Sequence, residues 1–198
     1  MPKRTTQDDE RENMQCELFN LRPGPGRSNK YVPDAFLEID GKEYALELKT
    51  SDVEKKQVSS ARNVTLSKIE EWEKVLWLFS SYSKSEDGSV ELIEHYLGDK
   101  KILKEWFDKQ REKIILGTKT YAGLELWMTA RDILGEHLEK RELSRLNASF
   151  EKKGVGLNDP KIPWSYIQKH CIRLKGDNLK KELREAISAL QQNYRKKI

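Results

Sequence analysis

Apolar and polar residues alternate along two neighbouring segments, 32–39 and 42–50. A period of two residues predicts β-strands that bury one face. Asp40 and Gly41 stand between the segments, and an Asp-Gly pair is a strong short-range signal for a two-residue hairpin turn. The two segments are therefore predicted to form an antiparallel hairpin in which the residues flanking the turn pair directly.

The register set by that turn divides the hairpin into an apolar face and a charged face. The apolar face, predicted to lie against the core, consists of Ala35, Leu37, Ile39, Tyr44, Leu46 and Leu48. The opposite face carries the charged residues Asp34, Glu38, Glu43, Glu47 and Lys49. In this register Asp34 lies directly opposite Glu47, whereas a bulged three-residue turn would shift the register and separate them.

The segments on either side of the hairpin carry weaker signals. A helix is predicted over 8–19, and two Pro and two Gly in 22–26 predict an irregular loop after it. The polar stretch 51–64 predicts no regular element. Ser67, followed three residues later by Glu70, has the spacing of a capping box and predicts the start of the next helix.

A second pair of strands is predicted further along the chain. The nearly continuous apolar run 75–82 is typical of a buried strand. A turn at 86–88 separates it from another strand over 89–97. Beyond Gly98 the spacing of the apolar residues becomes helical.

The C-terminal half is predicted to be mainly helical. Helical spacing recurs at 102–107 and over 124–146, and a loop rich in Gly, Pro and Asn follows at 152–163. Residues 164–174 are compatible with either a strand or a helix. Asp177 is predicted to cap the last helix, whose apolar stripe is Leu179, Leu183, Ala186, Ile187 and Leu190.

This order of elements predicts a single α/β domain over residues 1–198, built around a small mixed β-sheet flanked by helices. Residues 1–97 are expected to form the α/β core. Residues 98–198 are expected to form a mainly helical portion that packs on this core.

Composition and charge narrow the classes of function. The net charge of +4 is mildly basic and permits a nucleic-acid partner, and the cations concentrate in 54–68 and 173–198. Two Cys and three His provide neither a disulfide framework nor zinc-ligand spacing. The chain has no apolar run of membrane-spanning length and no signal peptide, so a soluble, cytoplasmic protein without a membrane partner is expected.

The charged face of the hairpin is the strongest candidate for chemistry. Two opposed carboxylates, Asp34 and Glu47, repel each other unless a cation lies between them, and a hard divalent ion such as Mg²⁺ prefers such oxygens. Lys49 shares that face. It could orient a water molecule and stabilise negative charge, or accept a proton if the site lowered its pKa. These three residues are suited to the hydrolysis of a phosphodiester with Mg²⁺. The alternative interpretation of the same geometry is an exposed pair of acidic residues near a strand end, without a catalytic role.

The sequence Pro33-Asp34, followed after twelve residues by Glu47-Leu48-Lys49, resembles the signature of the PD-(D/E)XK nuclease superfamily. The resemblance covers about residues 8–82 and implies a restriction-endonuclease-like core. It also implies that Asp34, Glu47 and the backbone carbonyl of Leu48 bind Mg²⁺ and that Lys49 is catalytic. Many members add an acidic residue from the preceding helix, for which Glu17 is the first candidate and Glu12 the alternative.

Within that superfamily the chain most resembles a small type II restriction endonuclease. This implies sequence-specific cleavage of double-stranded DNA by a homodimer, leaving 5′-phosphate and 3′-hydroxyl ends. The alternatives are a structure-specific nuclease, such as a Holliday-junction resolvase, and a non-catalytic DNA-binding module. Candidate contacts to DNA are Arg62 and Asn63 for base edges, and Lys30, Lys55 and Lys68 for phosphates.

Overall fold

The computed structural model describes residues 7–25, 32–62, 64–117 and 157–195. Within these ranges the chain is a mixed α/β protein with a six-stranded mixed sheet, a two-stranded sheet and five helices. The predicted α/β class and the small mixed sheet are confirmed. No helix in these ranges is both long and apolar enough to cross a membrane. The helix predicted over 124–146 lies outside the described residues.

The helices are α1 (Gln7–Phe19), α2 (Leu66–Trp72), α3 (104–117), α4 (Trp164–His170) and α5 (Leu179–Arg195). The strands are β1 (Arg22–Pro23), β2 (Ala35–Ile39), β3 (Lys42–Asp52), β4 (Gln57–Ser59), β5 (Leu76–Lys84), β6 (Val90–Gly98), β7 (Lys161–Pro163) and β8 (Ile172–Leu174). The large sheet has the order β1-β2-β3-β5-β6-β8, and β4 pairs with β7. In the large sheet β3 and β5 run parallel, with α2 in the connection, and the other pairs are antiparallel.

The predicted hairpin register is confirmed. Ile39 pairs with Lys42, and the pairing continues to Ala35 opposite Leu46. Asp40 and Gly41 have φ angles of 52° and 74°, and positive values at both positions are what a type I′ turn requires. The alternative with a bulged turn is therefore excluded.

The large sheet buries both of its faces. On one face the predicted residues Leu37, Leu46 and Leu48 are buried against α1 and α5, while Ile39 and Tyr44 are partly buried there. On the other face lies an aromatic cluster that joins β5 to α2 and α3, formed by Trp72, Trp77, Phe79, Trp106 and Phe107. Each fully buried side chain of this size contributes about 2–3 kcal/mol to folding.

Two Pro and two Gly predicted that the segment 22–26 is an irregular loop, but part of it is regular. Arg22 and Pro23 form β1, which pairs with Phe36 and Ala35 of β2. Proline is tolerated here because β1 is an edge strand, where one backbone N–H is not needed by a neighbour. The polar stretch 51–64 likewise contains the end of β3 and the short strand β4.

Both predicted helix caps are wrong by one or two residues. The N-cap of α2 is Thr65, whose side chain accepts a hydrogen bond from the Lys68 amide, and not Ser67. The N-cap of α5 is Asn178, whose Oδ1 accepts from the Lys181 amide, and not Asp177. In each case a second residue with capping chemistry stands nearby in the sequence.

The C-terminal segments complete the sheet. Residues 164–174 form both candidate structures in turn, first α4 and then β8, which pairs with β6 at the edge of the large sheet. The predicted apolar stripe of α5 is confirmed, because Leu183, Ile187 and Leu190 are buried against the same face as α1.

Candidate active site

Asp34 is held by the backbone just before β2. The amide of Gly24 donates to the Asp34 carbonyl at 2.8 Å. A Cβ atom at Gly24 would lie 2.1 Å from the Pro33 carbonyl oxygen, so only glycine allows this approach. The Asp34 carboxylate reaches across to β3, where Oδ2 accepts a hydrogen bond from the Leu48 amide at 2.8 Å. Contacts on both sides therefore position this carboxylate.

Glu47 and Lys49 lie on one face of β3, two residues apart. In the parallel pairing with β5 they align with Trp77 and Phe79, so they project on the side of the aromatic cluster. Glu47 is 5% exposed, and its Oε1 lies 2.7 Å from the Lys49 ammonium nitrogen. A buried carboxylate of this kind requires a cationic partner.

Three oxygen atoms surround the Lys49 ammonium. Its Nζ lies 2.7 Å from Oε1 of Glu47, 2.9 Å from the Leu48 carbonyl oxygen and 3.5 Å from Oδ2 of Asp34. These are the three donors that the resemblance to the nuclease superfamily implies for Mg²⁺, and here a side-chain cation lies among them. Two carboxylates and a carbonyl are hard donors that fit Mg²⁺, which completes its shell with water or substrate oxygens. Among the described residues, no three Asp, Glu, His or Cys side chains are placed to hold a metal ion together, and the set here has two carboxylates and a backbone carbonyl.

The charge of Lys49 follows from its surroundings. Burial opposes the charged form, but the nearby carboxylates of Glu47 and Asp34 outweigh it and raise the pKa of Lys49 above its ordinary value. Lys49 is thus held as a cation. The charged form is the one that can stabilise negative charge, whereas accepting a proton would require a lowered pKa.

A groove with a volume of about 690 Å³ opens above this cluster. It is lined by Arg11, Glu12, Asp34, Leu48, Lys49, Thr50, Ser51, Lys55, Ser59, Ser60, Ala61, Arg62, Tyr82 and Asp159. A second cavity of about 630 Å³, beside α3 and α4, shares no residue with this groove. The groove contains predicted site residues and the second cavity contains none, so we assign the site to the groove.

Of the two acidic candidates in α1, the structure places Glu12 and not Glu17 at the site. Glu12 lines the groove, and its charge contributes to the raised pKa of Lys49. Glu17 is exposed and does not line the groove. The two positions differ by five residues, which turns them to different sides of the helix.

The predicted DNA contacts divide into two groups. Lys55 and Arg62 line the groove and are exposed. Lys68 lies outside the groove, with its ammonium 5.1 Å from the centre of the Trp72 ring. Asn63 and Lys30 are outside the described residues.

Arg11 and Tyr82 are two of the groove residues that were not predicted from the sequence. Arg11 of α1 and Tyr82 of β5 contact each other in the lining of the groove, although 71 positions separate them. The one available signal was the position of Arg11 next to Glu12 on a helix already expected to approach the site.

No protein-family model matches this chain, and comparison with curated proteins finds no match either. The function must therefore be inferred from the chemistry of the site itself.

Proposed function

We propose that this protein is a magnesium-dependent DNA endonuclease with a restriction-endonuclease-like core of the PD-(D/E)XK type. The observation that carries the proposal is the convergence of Asp34, Glu47 and the Leu48 carbonyl around one cation at the base of a groove. Such a set of hard oxygens beside a charged lysine suits the hydrolysis of a phosphodiester.

The order of elements supports the same proposal. A helix precedes the hairpin, Asp34 stands just before its first strand, and Glu47 and Lys49 lie on its second strand. The chain then passes through α2 into β5, which pairs in parallel with β3. This is the setting that the resemblance to the superfamily implies for its motif.

Each member of the cluster has a separate role in the proposed reaction. Asp34, Glu47 and the Leu48 carbonyl would hold Mg²⁺, which when bound lowers the pKa of water and neutralises phosphoryl charge. The Leu48 amide orients Asp34 through the bond to Oδ2. Lys49, held charged by its neighbours, donates hydrogen bonds to the phosphoryl oxygen on which negative charge develops.

We propose double-stranded DNA as the substrate and a type II restriction endonuclease as the class. Lys55 and Arg62 supply cations to the groove and can contact phosphates, while Arg62 can also reach base edges. A homodimer follows from this class, because a two-fold symmetric enzyme matches a palindromic duplex.

Digestion of a sequenced plasmid tests this function. Wild-type protein and Lys49→Ala are compared in Mg²⁺ and in EDTA. Discrete fragments from the wild type in Mg²⁺ alone support a sequence-specific nuclease, and a smear supports a nuclease without that specificity. If no cleavage occurs, a four-way junction is the next substrate, since a resolvase would cut it. Binding of DNA without cleavage of either substrate would favour the non-catalytic module.

A further inference from the structure

We infer that Arg11 binds a backbone phosphate of the DNA in the groove and that Tyr82 is the positioning residue that holds its guanidinium in place. This inference rests on the proposed nuclease function and adds a substrate contact to it.

Arg11 and Tyr82 form a unit at one wall of the groove. The guanidinium carbon of Arg11 lies 4.6 Å from the centre of the Tyr82 ring, and Nη1 donates to the Tyr82 hydroxyl at 2.8 Å. Tyr82 is 5% exposed, so the ring is a fixed surface for the guanidinium. The contacts restrict the orientation of a side chain that otherwise has many rotamers.

The chemistry of a held guanidinium in this place favours a phosphate as its ligand. Its planar arrangement of N–H donors matches the oxygens of a phosphate. Arg11 lines the same groove as Asp34 and Lys49, where the proposed reaction brings a phosphodiester. A DNA strand carries phosphates at regular intervals, so one bound at the metal-binding cluster places others along the groove.

The chain offers a matched control for this residue. Arg22 also stacks on an aromatic ring, with its guanidinium carbon 4.5 Å from the centre of Phe36. It lies on β1 and does not line the groove. Replacement of Arg11 or of Arg22 therefore removes the same charge and the same kind of ring contact, but only Arg11 is at the site.

The test is the binding of a fluorescent DNA duplex in EDTA, measured over a range of salt concentrations for the full chain. Arg11→Gln should weaken binding about tenfold at low salt and reduce the slope of log K against log salt by about 0.9, the value for one lost phosphate contact. Arg22→Gln should leave both quantities unchanged. Circular dichroism confirms that each variant is folded.

Two conservative variants separate charge from positioning. Arg11→Lys keeps the charge and should keep the salt slope while losing affinity. Tyr82→Phe keeps the ring but removes the hydroxyl acceptor, so binding should weaken about threefold at an unchanged salt slope. If folded Arg11→Gln binds with the wild-type slope, Arg11 serves only to balance the acidic residues, and the inference is wrong while the nuclease proposal stands. If the wild type neither binds duplex DNA nor cuts the plasmid, both proposals are wrong.

Discussion

The ammonium of Lys49 lies 2.7 Å from Oε1 of Glu47, and both side chains are nearly buried on one face of β3. An ion pair of this kind is costly to form, because both charges lose water, and it contributes little net stability. Its place at the base of a groove, with two further oxygens beside it, supports the proposal that the site binds a cation and an anionic substrate.

Replacement of Lys49 by Met should expose the cation preference of the three oxygens. In EDTA the free energy of unfolding should fall by about 3 kcal/mol, because Asp34 and Glu47 lose their partner. Mg²⁺ should then stabilise Lys49→Met more than the wild type, since it binds only the folded site. Urea denaturation with and without Mg²⁺ measures this.

The control for that experiment is Lys74→Met, which breaks the exposed ion pair between Lys74 and Glu71. Its loss should lower the free energy of unfolding in EDTA by much less than the loss of Lys49, and it should leave the response to Mg²⁺ unchanged. Equal stabilisation of Lys49→Met and wild type by Mg²⁺ would show that the oxygens do not bind the metal.

Gly24→Ala should impair the site by displacing Asp34. The new Cβ would meet the Pro33 carbonyl oxygen at 2.1 Å, so this backbone must move. A displacement of about 1 Å can cost about 100-fold in rate, and we expect a loss of that order in Mg²⁺-dependent cleavage. Gly41→Ala is the control: its φ of +74° makes alanine strained, but no atom lies within 4 Å of the new Cβ. It should lose stability yet cleave DNA normally at temperatures where it remains folded.

Arg62→Gln and Lys55→Gln should weaken binding to duplex DNA, because both side chains line the groove. Each should reduce the salt slope of binding by about 0.9 if it contacts one phosphate. Lys68→Gln removes the same charge outside the groove and should have no such effect. An equal effect of all three variants would show that general charge, and not the groove, attracts the DNA.

Stability should depend on pH through His95. Burial lowers the pKa of His95 from 6.5 to about 4, and its Nδ1 lies 2.9 Å from the Ser80 hydroxyl oxygen. Between these values the unfolded chain binds the proton and the folded chain does not. The free energy of unfolding therefore does not depend on His95 above pH 6.5. As the pH falls from 6.5 towards 4, the cost of keeping His95 neutral lowers it by about 3 kcal/mol in all.

His95→Asn should remove this part of the pH dependence, as followed by urea denaturation at several pH values. The exposed His170→Asn is the matched control and should behave as the wild type. If the stability of both variants falls between pH 6.5 and 4 as much as that of the wild type, His95 is not the group responsible.

The hairpin and its three site residues could be predicted because their signals are local. Alternation and the Asp40-Gly41 turn determine which side chains share a face, and the faces determine which charges meet. The strand β1 could not be predicted, because an edge strand containing Pro23 depends on pairing with β2. The caps were misplaced for a different reason: Thr65 and Ser67, or Asp177 and Asn178, have similar local chemistry.

The walls of the groove depend on contacts between distant parts of the chain. Arg11 meets Tyr82 only because α1 packs beside the end of β5, and Glu12 is favoured over Glu17 only by the rotation of α1 on the sheet. Periodicity shows that a helix has a buried side, but it does not show which polar residue at the edge of that side enters a site.

The most direct test of the proposed active site compares plasmid cleavage by Glu47→Gln and Glu43→Gln in Mg²⁺. Both residues lie on β3 and on the same face, but Glu47 is buried beside Lys49, whereas Glu43 is exposed and paired with Arg22. We predict that Glu47→Gln cleaves at least about 100-fold more slowly than wild type, because a metal ligand and its charge are lost, and that Glu43→Gln cleaves at the wild-type rate. Cleavage by Glu47→Gln at the wild-type rate would contradict the assignment of this cluster as the catalytic centre.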